Sequence, residues 1–173
     1  LAKLQGARVV GIAGGEAKRA YLEEIGFDAA LDHRAADFAD ALAAAVPDGI
    51  DVYFENVGGA VFQAVLAHLN DFARIPVCGT VSNYNTRHRL PDGPDLLPGF
   101  ISQVLRQRLL VRGFIQSDFA ALFPQFEADM RQWLLAGQIR YRETIVQGLE
   151  QAPQALADVL DGKNFGKLVV KLD

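Results

Sequence analysis

Cysteine is nearly absent: Cys78 is the sole one in 173 residues, which excludes an internal disulfide framework and any multi-cysteine zinc site and suits a reducing cytosol. Charge of one sign is also scarce. Seventeen Lys and Arg face 21 Asp and Glu, a net charge of -4 without a long basic block, so nonspecific binding to nucleic acid is not expected, although a local basic pocket can still hold one phosphate. No apolar run approaches the roughly 20 residues that cross a bilayer, and the first residues lack a signal-peptide pattern. The chain therefore reads as soluble and cytoplasmic, with no membrane partner. Half its residues are apolar, too many for disorder and enough for one self-sufficient core.

The opening Leu1-Ala2-Lys3-Leu4-Gln5 has neither an initiator methionine nor a capping residue, and Gly6 stands where a helix takes its C-terminal glycine. It reads as the tail of a helix whose start is missing, and the chain as a fragment. Strand-like and helix-like segments then alternate. Extended segments are expected near residues 8–13, 29–32, 51–54, 74–79, 109–114, 141–146 and 167–172, with helices near 16–25, 37–46, 60–69, 100–107, 120–135 and 151–160. Pro76 weakens the fourth strand, because proline donates no ladder hydrogen bond. Residues 82–98, with two asparagines, three prolines and a glycine, read as a loop. Such alternation predicts an α/β fold with a doubly wound parallel sheet, Rossmann-like and incomplete at its N-terminus. The segment after Gly137 has more highly charged strands and is expected to pack elsewhere, dividing the chain into 1–137 and 138–173.

Ligands of an open parallel sheet gather beyond the carboxyl ends of its strands. The residues there are Gly14, Gly15 and Lys18; His33 and Arg34; Asn56, Gly58 and Gly59; Cys78, Gly79, Ser82 and Tyr84; and Phe114 and Gln116. The strand ending at Ala13 carries no acid at its tip to hold the ribose 2′-hydroxyl of NAD. Instead Gly14-Gly15 opens space, and Lys18 with the first amides of a helix can meet a 2′-phosphate, which favours NADP. Alternatively, Lys18 and Arg19 are ordinary solvated helix charges. His33, with no nucleophile or metal-ligand spacing around it, suits an adenosine-side contact better than a catalytic base. Cys78, ending an apolar strand, reads as a buried small hydrophobe. Asn56 and Tyr84 can bond a ligand or equally cap a turn.

In order, the blocks AKLQGARVVGIAGGEAKRAYL at 2–22, GIDVYFENVGG at 49–59, VCGTVSNYN at 77–85 and GKNFGKLVVKL at 162–172 resemble the zinc-independent medium-chain dehydrogenase/reductase family, in its NADPH-dependent alkenal/enone reductase branch. The resemblance covers nearly the whole chain. It implies NADP(H) as cofactor, an enone or enal as substrate and a homodimer, for which the apolar strand 109–114 could extend a sheet. It also implies that Lys18 meets the 2′-phosphate beside Gly14, and that Asn56, Cys78, Gly79 and Val81 line the ribose and nicotinamide side. Phe114 and Asn164 match further nicotinamide-side positions, and Tyr84 matches a loop tyrosine close to the substrate. Position 33 departs from the pattern: the branch commonly has tyrosine there, and His33 would bring a pH dependence that a phenol lacks. The phosphate-cradling glycine loop and the preceding GroES-like catalytic domain of the family have no counterpart here. The 173-residue piece is thus expected to bind NADPH weakly and be inactive alone, within a parent that is an enzyme. A quinone reductase of the same superfamily and a non-catalytic nucleotide-binding or oligomerisation module are the alternatives.

Overall fold

The structure is a computed structural model, which describes residues 1–86 and 95–172. Among the described residues, seven strands alternate with six helices: β1 Val10–Ile12, α1 Glu16–Glu24, β2 Ala29–Leu31, α2 Phe38–Ala45, β3 Ile50–Val52, α3 Gly59–Leu66, β4 Leu69–Val77, α4 Leu97–Gln107, β5 Leu110–Gly113, α5 Phe123–Leu135, β6 Glu143–Gln147, α6 Ala152–Leu160 and β7 Lys167–Lys171. Every pairing among these strands is parallel, as expected of strands joined by crossover helices. The hydrogen bonds define three sheets, β1-β2, β3-β4-β5 and β6-β7, rather than one ladder. Two compact units result: residues 1–34 with 122–173, and residues 35–121.

In the first unit α1 lies on β1 and β2. Gly11 permits this, since a methyl group there would stand 2.8 Å from both Leu22 Cδ1 on α1 and Phe27 Cδ1. Lys3–Gln5 forms a single 3-10 turn closed by Gly6, which sits in the left-handed region at φ 80°. The last two strands pair with each other, and Thr144 Oγ1 on β6 donates to the Phe165 carbonyl just before β7.

The second unit holds the best-buried side chains, Leu42 on α2, Val65 on α3 and Ile75 on β4, all under 2 % exposed. These are the aliphatic positions that face inward while the polar residues of the same elements face out. Pro76 does lie within β4. Its carbonyl accepts from the Glu55 N–H at 3.0 Å, so the strand uses the one polar backbone group that proline keeps. β4 also starts earlier than the sequence suggests, at Leu69, because Ile50 pairs with Leu69 but Val52 with Arg74, leaving a bulge in which Phe72 takes φ 62°. Helix α4 likewise begins at Leu97, before Phe100, with Pro98 in its first turn where no amide is needed. Part of the expected 82–98 loop is a 3-10 segment, Val81–Thr86, while 87–94 lies outside the described residues. Residues 116–122 form 3-10 turns broken at Phe119, which delays α5 to Phe123.

Candidate functional site

At the tip of β1 the chain turns through Gly14 and Gly15, the latter at φ 93°, a conformation few other residues tolerate, and enters α1. Asp32, one residue past β2, accepts the Gly15 N–H at 3.0 Å and the Arg34 N–H at 2.9 Å. These amides, Arg34's foremost, hold its carboxyl below the usual range. The tip of β1 has no acid of its own, but its neighbour strand brings one, and the Gly15 amide is thereby used. That register-dependent contact is invisible in sequence.

Three basic side chains gather around this turn. A methyl group on Gly14 would lie 2.8 Å from Arg34 Nε and 3.0 Å from His33 Cε1, so both side chains rest against the bare glycine. Lys18, on the first turns of α1, donates from Nζ to the Gly162 carbonyl at 2.6 Å. Arg34 reaches the same glycine: a Cβ on Gly162 would be 3.2 Å from Arg34 Nη2 and 4.0 Å from Lys18 Nζ. No carboxylate forms an ion pair with Lys18 or Arg34 among the described residues. Asp32 lies close enough for its charge to be felt by Arg34 and His33, yet it forms no direct ion pair with either cation; an ammonium and a planar guanidinium facing one small space suit a dianionic group, which the two can grip together. Arg34 stands among the strand-end residues in the sequence, but only the pairing of β1 with β2 carries it to Lys18.

The loop Asp161–Gly166, which carries Asn164, is tied to α1 twice. Besides the Lys18–Gly162 bond, the Phe165 ring meets Tyr21 edge-on at 5.4 Å, with the Arg142 guanidinium 4.1 Å above the Phe165 ring. Asn164 itself donates from Nδ2 to the Gly166 carbonyl at 2.7 Å.

In the second unit the tips of β3 and β4 are stitched through Glu55, the only charged residue among the described residues that is buried, at 3 % exposure. Its carbonyl accepts the Cys78 N–H at 2.8 Å and the Gly79 N–H at 3.3 Å, while its Oε1 accepts the Val57 and Gly58 amides at 2.5 and 2.7 Å. Oε2 is buried with no hydrogen bond of ordinary geometry. The Tyr53 phenol is pushed well above its ordinary value, first by burial and then by the Glu55 carboxylate. Asn56 is exposed beside this knot. Its carbonyl takes the Val81 amide at 3.2 Å, and its Oδ1 occupies the place where Gly79 has no side chain, 2.5 Å from where a Cβ would be. Cys78 is exposed, contrary to the buried hydrophobe expected of it: it lies one residue past the end of β4 at Val77, where its backbone stays bonded to Glu55 while its side chain is open. Thus Asn56, Cys78, Gly79 and Val81 come together. Phe114, just past β5, stands edge-on to Phe54 and Phe119 at 6.2 and 5.7 Å, and Tyr84 is 65 % exposed.

Known proteins are similar to this chain over nearly its whole length. The NADPH-dependent curcumin reductase of Escherichia coli is 52 % identical over 174 residues, a match that covers 99 % of this chain and 50 % of that protein. Prostaglandin reductase 1 of rat is 39 % identical over 173 residues, again 99 % of this chain and 51 % of the relative. The crystal structure of CurA in complex with NADPH from Vibrio vulnificus superposes with a TM-score of 0.95 at 52 % identity, over 99 % of this chain and 51 % of that one. The chain spans about half the length of these relatives. Its neighbours share the Rossmann-like α/β fold, in agreement with the doubly wound class expected from the alternation of elements.

A family model described as zinc-binding dehydrogenase matches residues 1–136. Among the described residues, no three His, Cys, Asp or Glu side chains are grouped to hold the zinc of that description. With 136 of its 173 residues matched, the chain belongs to the zinc-binding dehydrogenase family.

Proposed function

We propose that the chain is the cofactor-binding part of an NADPH-dependent reductase of α,β-unsaturated aldehydes and ketones, in the zinc-independent branch of its family. The observation that carries this reading is the meeting of Lys18, Arg34 and His33 around Gly14 and Gly162 with no carboxylate paired to the two cations. Such a pocket discriminates NADPH from NADH by the 2′-phosphate, the only group that differs between them. The naming of the E. coli relative as NADPH-dependent and the NADPH complex of the Vibrio relative support the same cofactor.

When bound, the dihydronicotinamide supplies a hydride to the β-carbon of the enone. The residues of this chain bind and orient. Lys18 keeps one donor on Gly162 and has two more for phosphate oxygens. Asn56, Cys78, Gly79 and Val81 form the ribose and nicotinamide side, with Phe114 and Asn164 as further contacts. Tyr84 donates a hydrogen bond to the developing enolate oxygen, a role its exposed phenol leaves open to a substrate. The strand β5, exposed along its length and hydrogen-bonded only to β4 among the described strands, is the edge a second copy would extend. A cytoplasmic location, no nucleic-acid partner, and a boundary near Gly137 beyond which 138–173 packs toward a preceding domain complete the proposal. No described helix is long and apolar enough to cross a membrane.

The test is the full-length protein assayed with NADPH and with NADH against an alkenal and a quinone, following loss of reduced cofactor at 340 nm. Alkenal-dependent oxidation of NADPH, lowered at least tenfold by Tyr84→Phe, is expected. Quinone-only turnover supports the quinone reductase alternative, and NADPH binding without any turnover supports a non-catalytic module. Residues 1–173 alone should bind NADPH weakly and turn over neither substrate.

A further inference from the structure

A buried carboxylate needs an explanation, because removing a charge from water is costly unless its lone pairs are taken up. Glu55 spends one oxygen on two consecutive amides of the turn that it precedes, Val57 N–H and Gly58 N–H. Gly58 adopts φ 78°, a left-handed conformation that this grip holds in place as the chain enters α3. From the same residue the backbone carbonyl holds Cys78 and Gly79. The segment that follows is locked in turn: Val81 N–H bonds the Asn56 carbonyl, and Ser82 bonds the Val57 carbonyl through both its amide and its hydroxyl, at 2.9 and 2.5 Å. Every residue of the second unit assigned above to the ribose and nicotinamide side, Phe114 excepted, is therefore either adjacent to Glu55 in sequence or hydrogen-bonded to it or to Asn56. The Asn56 side-chain oxygen lies over Gly79, 2.5 Å from where a Cβ would stand, a close approach that depends on the two strand tips keeping this register.

We infer that Glu55 is a positioning residue for the cofactor, its carboxylate setting the Val57–Gly58 turn and thereby the aim of Asn56 and the Cys78–Val81 segment. It touches no reacting group itself. The inference rests on the cofactor reading above, and it assigns a task to the one buried charge among the described residues, which neither the family resemblance nor the strand-end rule singles out. Both amides point at a single oxygen, so what matters is an acceptor at Oε1. A glutamine can still present one there, an alanine cannot, and an aspartate is a carbon too short to reach both amides.

The test uses Glu55→Ala, Glu55→Asp and Glu55→Gln in the full-length protein, with NADPH affinity measured by fluorescence and KM and kcat measured at a temperature where circular dichroism shows each variant folded. Glu55→Ala should raise the Kd and KM for NADPH at least tenfold while the KM for the enone moves less than twofold. Glu55→Gln should restore NADPH affinity to within about threefold of wild type, and Glu55→Asp should fall between. A purely structural role predicts a different split, in which less active protein lowers apparent kcat and leaves both KM values alone. That outcome, or alanine and glutamine variants with equal NADPH affinity, overturns the inference. Should Glu55→Ala not fold, an Asp variant binding NADPH as tightly as wild type overturns it equally. Absence of NADPH binding by the wild-type protein would instead sink the cofactor reading, so the two failures are distinguishable.

Discussion

Replacing Lys18 by alanine in the full-length protein removes the ammonium that bridges α1 and the Gly162 carbonyl. Two losses follow, and they separate by cofactor. The Lys18–Gly162 bond is made whichever nucleotide is present, so its loss weakens NADPH and NADH alike. The bonds to a 2′-phosphate exist for NADPH alone. A hydrogen bond between charged partners contributes roughly 1.5–3 kcal/mol, or about 10- to 150-fold in Kd. Lys18 is half-buried and Arg34 remains beside the vacated space, so the lower end applies and the NADPH-to-NADH preference should shrink by about 10- to 30-fold. Fluorescence titrations of wild type and variant with both cofactors measure it. Repeating them between about 0.05 and 0.5 M salt adds a check, since an ionic contact near the surface weakens with screening and the variant's NADPH affinity should respond less steeply. Equal losses for NADPH and NADH would refute the reasoning and leave Lys18 a structural tie between helix and loop.

Other measurements probe other links. Gly14→Ala puts a methyl group 2.8 Å from Arg34 Nε in a backbone that alanine can adopt, so Arg34 and His33 must swing away; NADPH affinity should fall several-fold with little change in melting temperature. Ile75→Ala empties a site with no exposed surface and should cost about 2–5 kcal/mol of stability in urea unfolding, enough to unfold a marginal protein. The depressed Asp32 carboxyl contributes stability that is complete above its ordinary value of 3.8 and lost as pH falls through its lowered folded value. Asp32→Asn should accordingly melt below wild type at pH 7, with the gap narrowing as pH is taken progressively below 3.8; a gap that does not narrow at any pH below 3.8 at which wild type stays folded would contradict that assignment.

Strand and helix types were legible because the crossover pattern is local. Short segments rich in β-branched residues and closed by glycine, as at Val9–Gly14, announce a strand and its tip, and Gly6 and Gly26 mark where short helical segments must stop. Two helix starts lie a turn away from where the sequence puts them, whereas α6, with Pro153 in its first turn, starts within a residue of its expected place. Pro98 and Pro124 sit comfortably in first turns, so α4 begins before the expected position, and α5 begins later because Phe119 breaks the turns ahead of it. The strand-end rule and the resemblance gathered Lys18, Asn56 and Gly79, but both are silent on what the side chains do to each other. Asp32 taking the Gly15 amide, and Arg34 meeting Gly162, depend on the register Gly11↔Ala30 and on a contact 144 residues away in the chain for Lys18. Glu55 escaped notice for another reason: its partners are its own neighbours' amides, and a carboxylate that turns back on its own backbone leaves no periodic signal.

The first unit is assembled from both ends of the chain, residues 1–34 and 122–173, with all of the second unit encoded between them. During synthesis, the ribosome releases Lys18 long before it releases Gly162, and β1, β2 and α1 must wait while an independent core built on Leu42, Val65 and Ile75 can already close. The long intervening stretch costs little extra in closure entropy once it is itself compact. Folding order is thus written into chain order: of the two units, the one that carries the basic cluster is completed later, and nascent chains stalled before residue 162 would hold a formed second unit and an unfinished first one.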